Sequence, residues 1–396
     1  MTDSTKGTRQ PKHDSKFPQI VTTPMAPPLY TAAVYQCESP QQASALLNRE
    51  QPGYVYSRDG HPNGDQLAAM CSHAHAVGDG IVCGSGMAAE SALLLGMLKS
   101  GDHLVASNLL YGQTTNLLRN EMPRLGITST EVDPCDLTAV EAAFADNSKG
   151  LLVETISNPM LRVIDIAALA EIAHRHDAWI AVDNTFASPG VCRPAEHGAD
   201  FVLESITKIM NGHSDVLLGF VGGEVERIDR LRRTAITWGF TPAPFDCWLA
   251  TRGMGTLDLR LERACANALQ VAWLLQRHSR VDSVCYPGLS DHPDHELCRR
   301  QFSADRFGHM LSFTIGGGWE AATKFIAAAR RIPFSPSLGD LGTTLSHPAS
   351  TSHRKLSPVE RAGYGIDDGT LRLSVGVEPL DEVISAIDEA LSALDA

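Results

Sequence analysis

The chain of 396 residues is 43% apolar and 20% charged, which is ordinary globular usage and enough length for two domains with a large core. Its net charge of −13 disfavours nucleic acid as a partner, since phosphate binding wants a basic face, and no apolar run approaches the ~18 residues of a membrane span. The nine cysteines form no C-x-x-C pair and no cluster with histidine, which argues against a disulfide framework or a structural zinc or other metal and fits a reducing cytoplasm.

In chain order, MTDSTKGTRQPKHDSKFPQ is polar, lacks the apolar core of a signal peptide and reads as a flexible arm. The first region, 1–60, continues with PMAPPLYTAAVY, an extended stretch because residues before proline are pushed towards β or polyproline geometry. From 61 to 255, the short β-type runs GIVCGSG, HLVASN, GLLVETISNP, AWIAVDNTF, ADFVLESITK and VLLGFVGG alternate with helical windows. One such window, DIAALAEIAHRHDA, places Ile166, Leu169, Ala170 and Ala173 at helical spacing. This alternation predicts an α/β domain with a mostly parallel sheet and helices on both faces. From 256 to 396, the helix LDLRLERACANALQVAWLLQRH, a mixed segment and the final helix DEVISAIDEALSALD predict a smaller α+β domain.

Ligands of open α/β sheets sit outside the carboxyl ends of the strands, so the residues that follow each apolar run are the candidates for a site. After GIVC, Gly84-Ser85-Gly86-Met87-Ala88-Ala89 forms a glycine turn that feeds a helix, presenting N–H groups to an anion such as phosphate. The same turn fits G-x-G-x-x-A, but about 20 residues on stand Ser107 and Asn108, where a dinucleotide ribose would need an acid. After AWIAV, Asp183 is either a turn carboxylate or the partner of a protonated ring nitrogen. After DFVLE, alternation sends Ser205 and Thr207 to one side, where both hydroxyls could donate to phosphate. Asn158 follows GLLVE in a polar turn, and Arg372 lies within the apolar pattern LRLSVGVE. That arginine wants a carboxylate, either the protein's or a substrate's.

Lys208 is one of only eight lysines, and every other cation between Lys149 and Lys324 is arginine or histidine. A desolvated lysine can lose its proton and form a Schiff base, as arginine cannot. A phosphate cradle, an acid for a ring nitrogen, an imine-forming lysine and a carboxylate-binding arginine together describe a site for pyridoxal 5'-phosphate and an amino-acid substrate.

The motifs YVYSR, SGMAA, YGQT, ETISNP, VDNTF, SITKIMNGHSD, RGMGTLDLR, SLGDLGTTLSHPASTSH and LRLSVGVE resemble, in order, those of the Cys/Met-metabolism pyridoxal phosphate enzymes. That family contains cystathionine γ-synthase, the cystathionine γ- and β-lyases, methionine γ-lyase and the O-acylhomoserine sulfhydrylases. The resemblance implies an aspartate-aminotransferase-like fold (the type I fold of such enzymes) and a homotetramer made of two catalytic dimers. It implies that Lys208 forms the Schiff base and carries protons, that Asp183 pairs with the ring nitrogen and that Tyr111 stacks on the ring. Gly86, Met87, Ser205 and Thr207 would hold the phosphate. Tyr56 and Arg58 would reach the neighbouring subunit's phosphate. Arg372, with Ser337 and Asn158, would bind the substrate carboxylate. The implied reaction is γ-elimination or γ-replacement on homoserine- or homocysteine-type amino acids, with O-acetylhomoserine sulfhydrylase or methionine γ-lyase activity as alternatives and cystathionine β-lyase activity as a further one. The chain departs from the family in having His61-Pro62-Asn63 where asparagine-proline-threonine is usual, and Gln113 where methionine γ-lyases generally carry cysteine.

Overall fold

The computed structural model describes residues 22–303 and 305–395, so the polar stretch 1–19 read as a flexible arm lies outside the described residues. Seven strands form the larger sheet: β1 (Asp79–Cys83), β2 (His103–Ser107), β3 (Thr128–Val132), β4 (Ser148–Glu154), β5 (Trp179–Asp183), β6 (Phe201–Glu204) and β7 (Gly219–Gly223). Their spatial order is β1-β7-β6-β5-β4-β2-β3. The five strands from β6 to β3 are mutually parallel, whereas β7 runs antiparallel to both β6 and β1.

The central strands are apolar without alternation because both faces of the sheet are covered. Leu151, Val153, Ile180 and Val182 pack in one core with Leu67 and Cys71 of helix Pro62–Ala74 and Ile166, Leu169 and Ala173 of helix Ile166–Arg175. Their neighbours Leu152, Trp179 and Ala181 face a second core with Ala89, Leu93 and Leu94 of helix Gly86–Met97 and Ile228 and Leu231 of helix Val225–Trp238. β3 was absent from the sequence reading because TSTEV lies on the sheet edge, half exposed, and carries no apolar run.

The second sheet holds β8 (Val281–Cys285), β9 (Met310–Ile315), β10 (Thr344–Ser346) and β11 (Thr370–Ser374) in the order β10-β11-β9-β8, antiparallel throughout. Helix Leu257–Gln276 buries Leu261, Ala268, Val271 and Leu275 in the first of the two cores, which also takes in Leu371 and Leu373 of β11 and Val383, Ile387 and Leu391 of helix Leu380–Ser392. One continuous core therefore runs behind both sheets and fixes β11 relative to the strand ends of the larger sheet. Among the described residues no helix is long and apolar enough to cross a membrane.

Candidate active site

Parallel register brings the carboxyl ends of β4, β5 and β6 to one edge, with Glu154 beside Asp183 and Asp183 beside Leu203, the residue before Glu204. The glycine turn after β1 reaches the same edge. Ser85, in extended conformation, caps helix Gly86–Met97 by accepting the Ala88 N–H on its Oγ at 3.0 Å. A Cβ placed on Gly86 would lie 3.1 Å from Cβ and 3.2 Å from Oγ of Ser205, so the turn and the segment before the lysine form one narrow cradle. Gly219 of β7 closes its back: a Cβ there would meet the Ser85 carbonyl oxygen at 2.2 Å, and only glycine permits that approach.

Lys208 follows β6 in a turn whose amide donates to the Ser205 carbonyl. Its Nζ donates to Ser337 Oγ at 3.1 Å. Burial, and then the charge of Arg372, lower its pKa from the ordinary lysine value, which favours the neutral amine. Gly339 holds the Ser337 loop against this turn, with φ +78° and room for no Cβ, since one would lie 2.3 Å from the Ile209 nitrogen.

Arg372 of β11 donates from Nη1 to Asn158 Oδ1 at 2.6 Å and from Nη2 to the Ser337 carbonyl at 3.2 Å. It lies over the Phe186 ring at 5.9 Å. The residue is 5% exposed, its Nε has no partner, and no carboxylate of the described residues pairs with it. Burial lowers its pKa to about 10. A buried guanidinium without a protein carboxylate is a site for an anionic ligand. Lys208, Ser337, Arg372 and Asn158, far apart in sequence, are thus joined in one hydrogen-bonded group.

Asp183 Oδ1 accepts the Thr185 N–H at 2.9 Å, and Thr185 Oγ1 accepts the Ser205 N–H at 2.8 Å, which ties the acid to the cradle. Burial raises its pKa above the usual carboxylate range, as expected of an acid whose cationic partner comes from a ligand. The sequence reading passed over three further acids here. Glu90, bound by Thr114 Oγ1 at 2.8 Å, is raised to about 8 by burial. Glu154, which accepts the Tyr111 N–H at 2.5 Å, is raised well above its usual value by burial and then by Asp183. Glu204 is raised for the same two reasons and faces His75 Nε2 at 3.4 Å, both side chains being fully buried. Glu154 and Glu204 end β4 and β6, so an acid at a strand end was the available signal for those two, whereas Glu90 lies inside helix Gly86–Met97.

The other candidates are placed differently. Thr207 Oγ1 both donates to the Leu218 carbonyl and accepts its N–H at 3.1 Å, so this hydroxyl braces the approach to β7. Met87 lies half-buried in the first turn of helix Gly86–Met97. Tyr111 precedes helix Gly112–Asn116 and is 49% exposed. Tyr56 and Arg58 lie on the surface, with the guanidinium over the tyrosine ring at 5.1 Å and 3.7 Å from Asp59. Neither is hydrogen-bonded to Lys208, Asp183 or Ser205 within this chain. The unusual His61-Pro62-Asn63 is built in: Asn63 accepts the Tyr30 N–H at 2.9 Å and donates to the Pro28 carbonyl at 2.8 Å, pinning the extended stretch.

These groups fit pyridoxal phosphate: a cradle where a Cβ barely fits, a half-buried, desolvated acid lacking a cation, a partly desolvated lysine and an arginine lacking an anion. Residues 8–392 match the profile of the family described as Cys/Met metabolism PLP-dependent enzyme. The chain is 38% identical over 377 residues to a protein named L-methionine gamma-lyase from Treponema denticola, covering 93% of each. It is 39% identical over 366 residues to an O-succinylhomoserine sulfhydrylase from Pseudomonas aeruginosa, covering 92% of this chain and 90% of that protein. The crystal structure of cystathionine gamma synthase from Xanthomonas oryzae pv. oryzae, in complex with aminoacrylate and cysteine, superposes with a TM-score of 0.88 at 34% identity over 93% of each chain.

Proposed function

Because this chain belongs to the Cys/Met metabolism PLP-dependent enzyme family, we propose that it carries out γ-elimination or γ-replacement on a homoserine- or homocysteine-type amino acid. The observation that carries the substrate class is the buried Arg372 without a protein carboxylate, which fits the α-carboxylate of an amino acid. When bound, the cofactor supplies an electron sink for negative charge developing on substrate carbon. Asp183 would be the counter-charge for its ring nitrogen, Tyr111 would be the aromatic partner of its ring, and Gly86, Met87 and Ser205 would hold its phosphate. Thr207 supports that cradle through Leu218. Lys208, its amine oriented by Ser337, takes and returns protons at neighbouring substrate carbons. A thiol in the site gives replacement, and its absence gives elimination to a 2-oxo acid and ammonia.

Residues of the large unit, read as 61–255, and of the second unit, 256–396, both contribute, since Lys208 and Asn158 meet Ser337 and Arg372. We place the enzyme in the cytoplasm, on nine cysteines that are all free of disulfides. We infer a dimer of catalytic dimers from exposed large apolar side chains, among them Tyr30, Leu217, Trp238 and Phe245.

The test is a panel of O-acetylhomoserine, O-succinylhomoserine, cystathionine and methionine, each with and without a thiol. 2-Oxobutyrate or a thioether product is expected; pyruvate from cystathionine would move the reaction to Cβ, and no product from any of them would sink the reading. In the same panel Arg372→Leu should lower kcat/KM about ten- to a hundredfold through KM, the loss of one charge-assisted bond.

A second experiment addresses Arg58. Arg58→Ala and Lys208→Ala subunits are mixed under limiting cofactor, where neither works alone. If Arg58 serves the partner's site, one of the two sites in each mixed dimer is wholly wild type. About a quarter of full activity then returns in a random equimolar mixture. No recovery would place Arg58 in its own subunit's site.

A further inference from the structure

His61 is the N-cap of helix Pro62–Ala74 and is 1% exposed. Its Nδ1 accepts the Gly64 N–H at 2.9 Å, and its Nε2 meets the Pro242 carbonyl oxygen at 3.2 Å. An amide only donates and a carbonyl only accepts, so both bonds coexist in one state of the ring: neutral, with the proton on Nε2. A second proton, on Nδ1, would set N–H against N–H and open the cap. Ring and helix are in close contact, since a Cβ on Gly64 would lie 2.9 Å from His61 Cε1.

Pro242 ends a three-residue segment that touches both cofactor-facing parts of the chain. The Phe240 carbonyl accepts the Gly84 N–H of the glycine turn at 3.0 Å. Thr241 Oγ1 donates to the Arg58 carbonyl at 3.4 Å, three residues before His61. The segment therefore joins this chain's own phosphate cradle to the arm that carries Tyr56 and Arg58.

We propose that His61 is a positioning residue: it clamps the Tyr56–Arg58 arm to segment Phe240–Pro242, and protonation of its ring releases the arm and weakens cofactor retention. The proposal rests on the reading that Arg58 serves a cofactor phosphate.

Arg49, Arg58, Asp59, Asp65 and Arg232 line the same cavity as His61. Asp65 is held by the Tyr54 hydroxyl at 2.8 Å, Asp59 by Arg58 at 3.7 Å, and Arg232 lies against Asp79 at 2.5 Å. Burial lowers the pKa of His61 below the ordinary histidine value, while the Pro242 carbonyl and Asp65 oppose that shift. Because the folded value lies below the unfolded one, about 6.5, the contribution of the neutral ring is complete above that pH. It is lost as pH falls through the lower folded value.

The test follows release of pyridoxal phosphate from the holoenzyme between about pH 5 and pH 8 for wild type, His61→Asn, His61→Ser and Arg58→Ala, and for Arg58→Ala combined with His61→Asn. Asparagine and serine are good caps that do not titrate, so both variants keep the helix start. The cofactor's own titrations are common to all variants and cancel in the ratio to wild type. Wild type should release cofactor roughly three- to tenfold faster at the acid end, as expected for loss of a cap and its bond. Both His61 variants should lack that step, and His61→Asn should change nothing further in the Arg58→Ala background, because its effect passes through the arm. If Arg58→Ala retains cofactor as wild type does, the reading of Arg58 fails and takes the proposal with it. If Arg58→Ala releases cofactor but the His61 variants keep the full acid step, or add their effect to Arg58→Ala, the role of His61 alone is overturned.

Discussion

Replacing Lys208 by alanine is expected to lower turnover by ~10³ or more while the chain still folds, the size of loss expected when a positioned proton carrier is removed. The amine makes one hydrogen bond, to Ser337 Oγ, and sits in the field of Arg372, which disfavours its charge. Removing it relieves that repulsion and leaves the serine as the only group without its partner. Far-ultraviolet circular dichroism and the thermal midpoint should therefore change little. The cofactor, no longer anchored through the amine, should pass through a dialysis membrane with its visible absorption. A Lys208→Ala protein with near-normal turnover would remove the lysine from the mechanism altogether.

Asp183→Asn should cost about 10² in turnover, the scale of losing a preorganised electrostatic partner, while retaining the cofactor. The amide oxygen of asparagine can still accept the Thr185 N–H that Asp183 Oδ1 accepts at 2.9 Å, so the cradle behind it should keep its geometry. A neutral amide cannot hold a ring nitrogen protonated. The same substitution should act on stability in the opposite direction. Burial raises the pKa of Asp183, so the unfolded chain binds fewer protons at this group than the folded one. Stability is then lost as pH rises through the folded value. Cofactor-free Asp183→Asn should accordingly unfold at a temperature no lower than wild type at neutral pH, with any gain fading below about pH 4, where the carboxyl is protonated in both states. Lower activity with equal or greater stability would mark Asp183 as a functional acid. Near-normal turnover with lower stability would mark it as a structural one.

The α/β class, the central strands and the long helices were legible in the sequence because burial on both sheet faces leaves an apolar run that needs no partner to be recognised. GLLVE, AWIAV and DFVLE each form a strand buried on both sides. The residues just past those runs were legible for a related reason, since parallel strands send their carboxyl ends to one edge, and Asp183, Ser205 and Lys208 follow from that rule alone. The motif order made the family legible, and the profile match over residues 8–392 agrees with it. β3 was not legible, because an edge strand half in water carries no apolar pattern. The antiparallel direction of β7 was not legible either, because pairing direction depends on which neighbour a strand finds and not on its own residues.

Tertiary structure alone decided the roles that depend on partners distant in sequence. Arg372 in an apolar strand could have been half of an internal ion pair. The fold gives it Asn158 and the Ser337 carbonyl and, among the described residues, no carboxylate, which leaves its charge free for an anion from outside the chain. Thr207, read from alternation as a phosphate donor, is occupied by Leu218. Glu90, Glu154 and Glu204 became part of the site through register and helix packing, which gathered them around Asp183 and raised their pKa values. The sequence by itself determined which residue types could do the chemistry, since that is a property of each side chain and its local strand or turn. Which of them face one another, and which are left without a partner, was decided by the fold, because a counter-ion or a hydrogen bond is supplied by whatever the rest of the chain brings within about 3 Å.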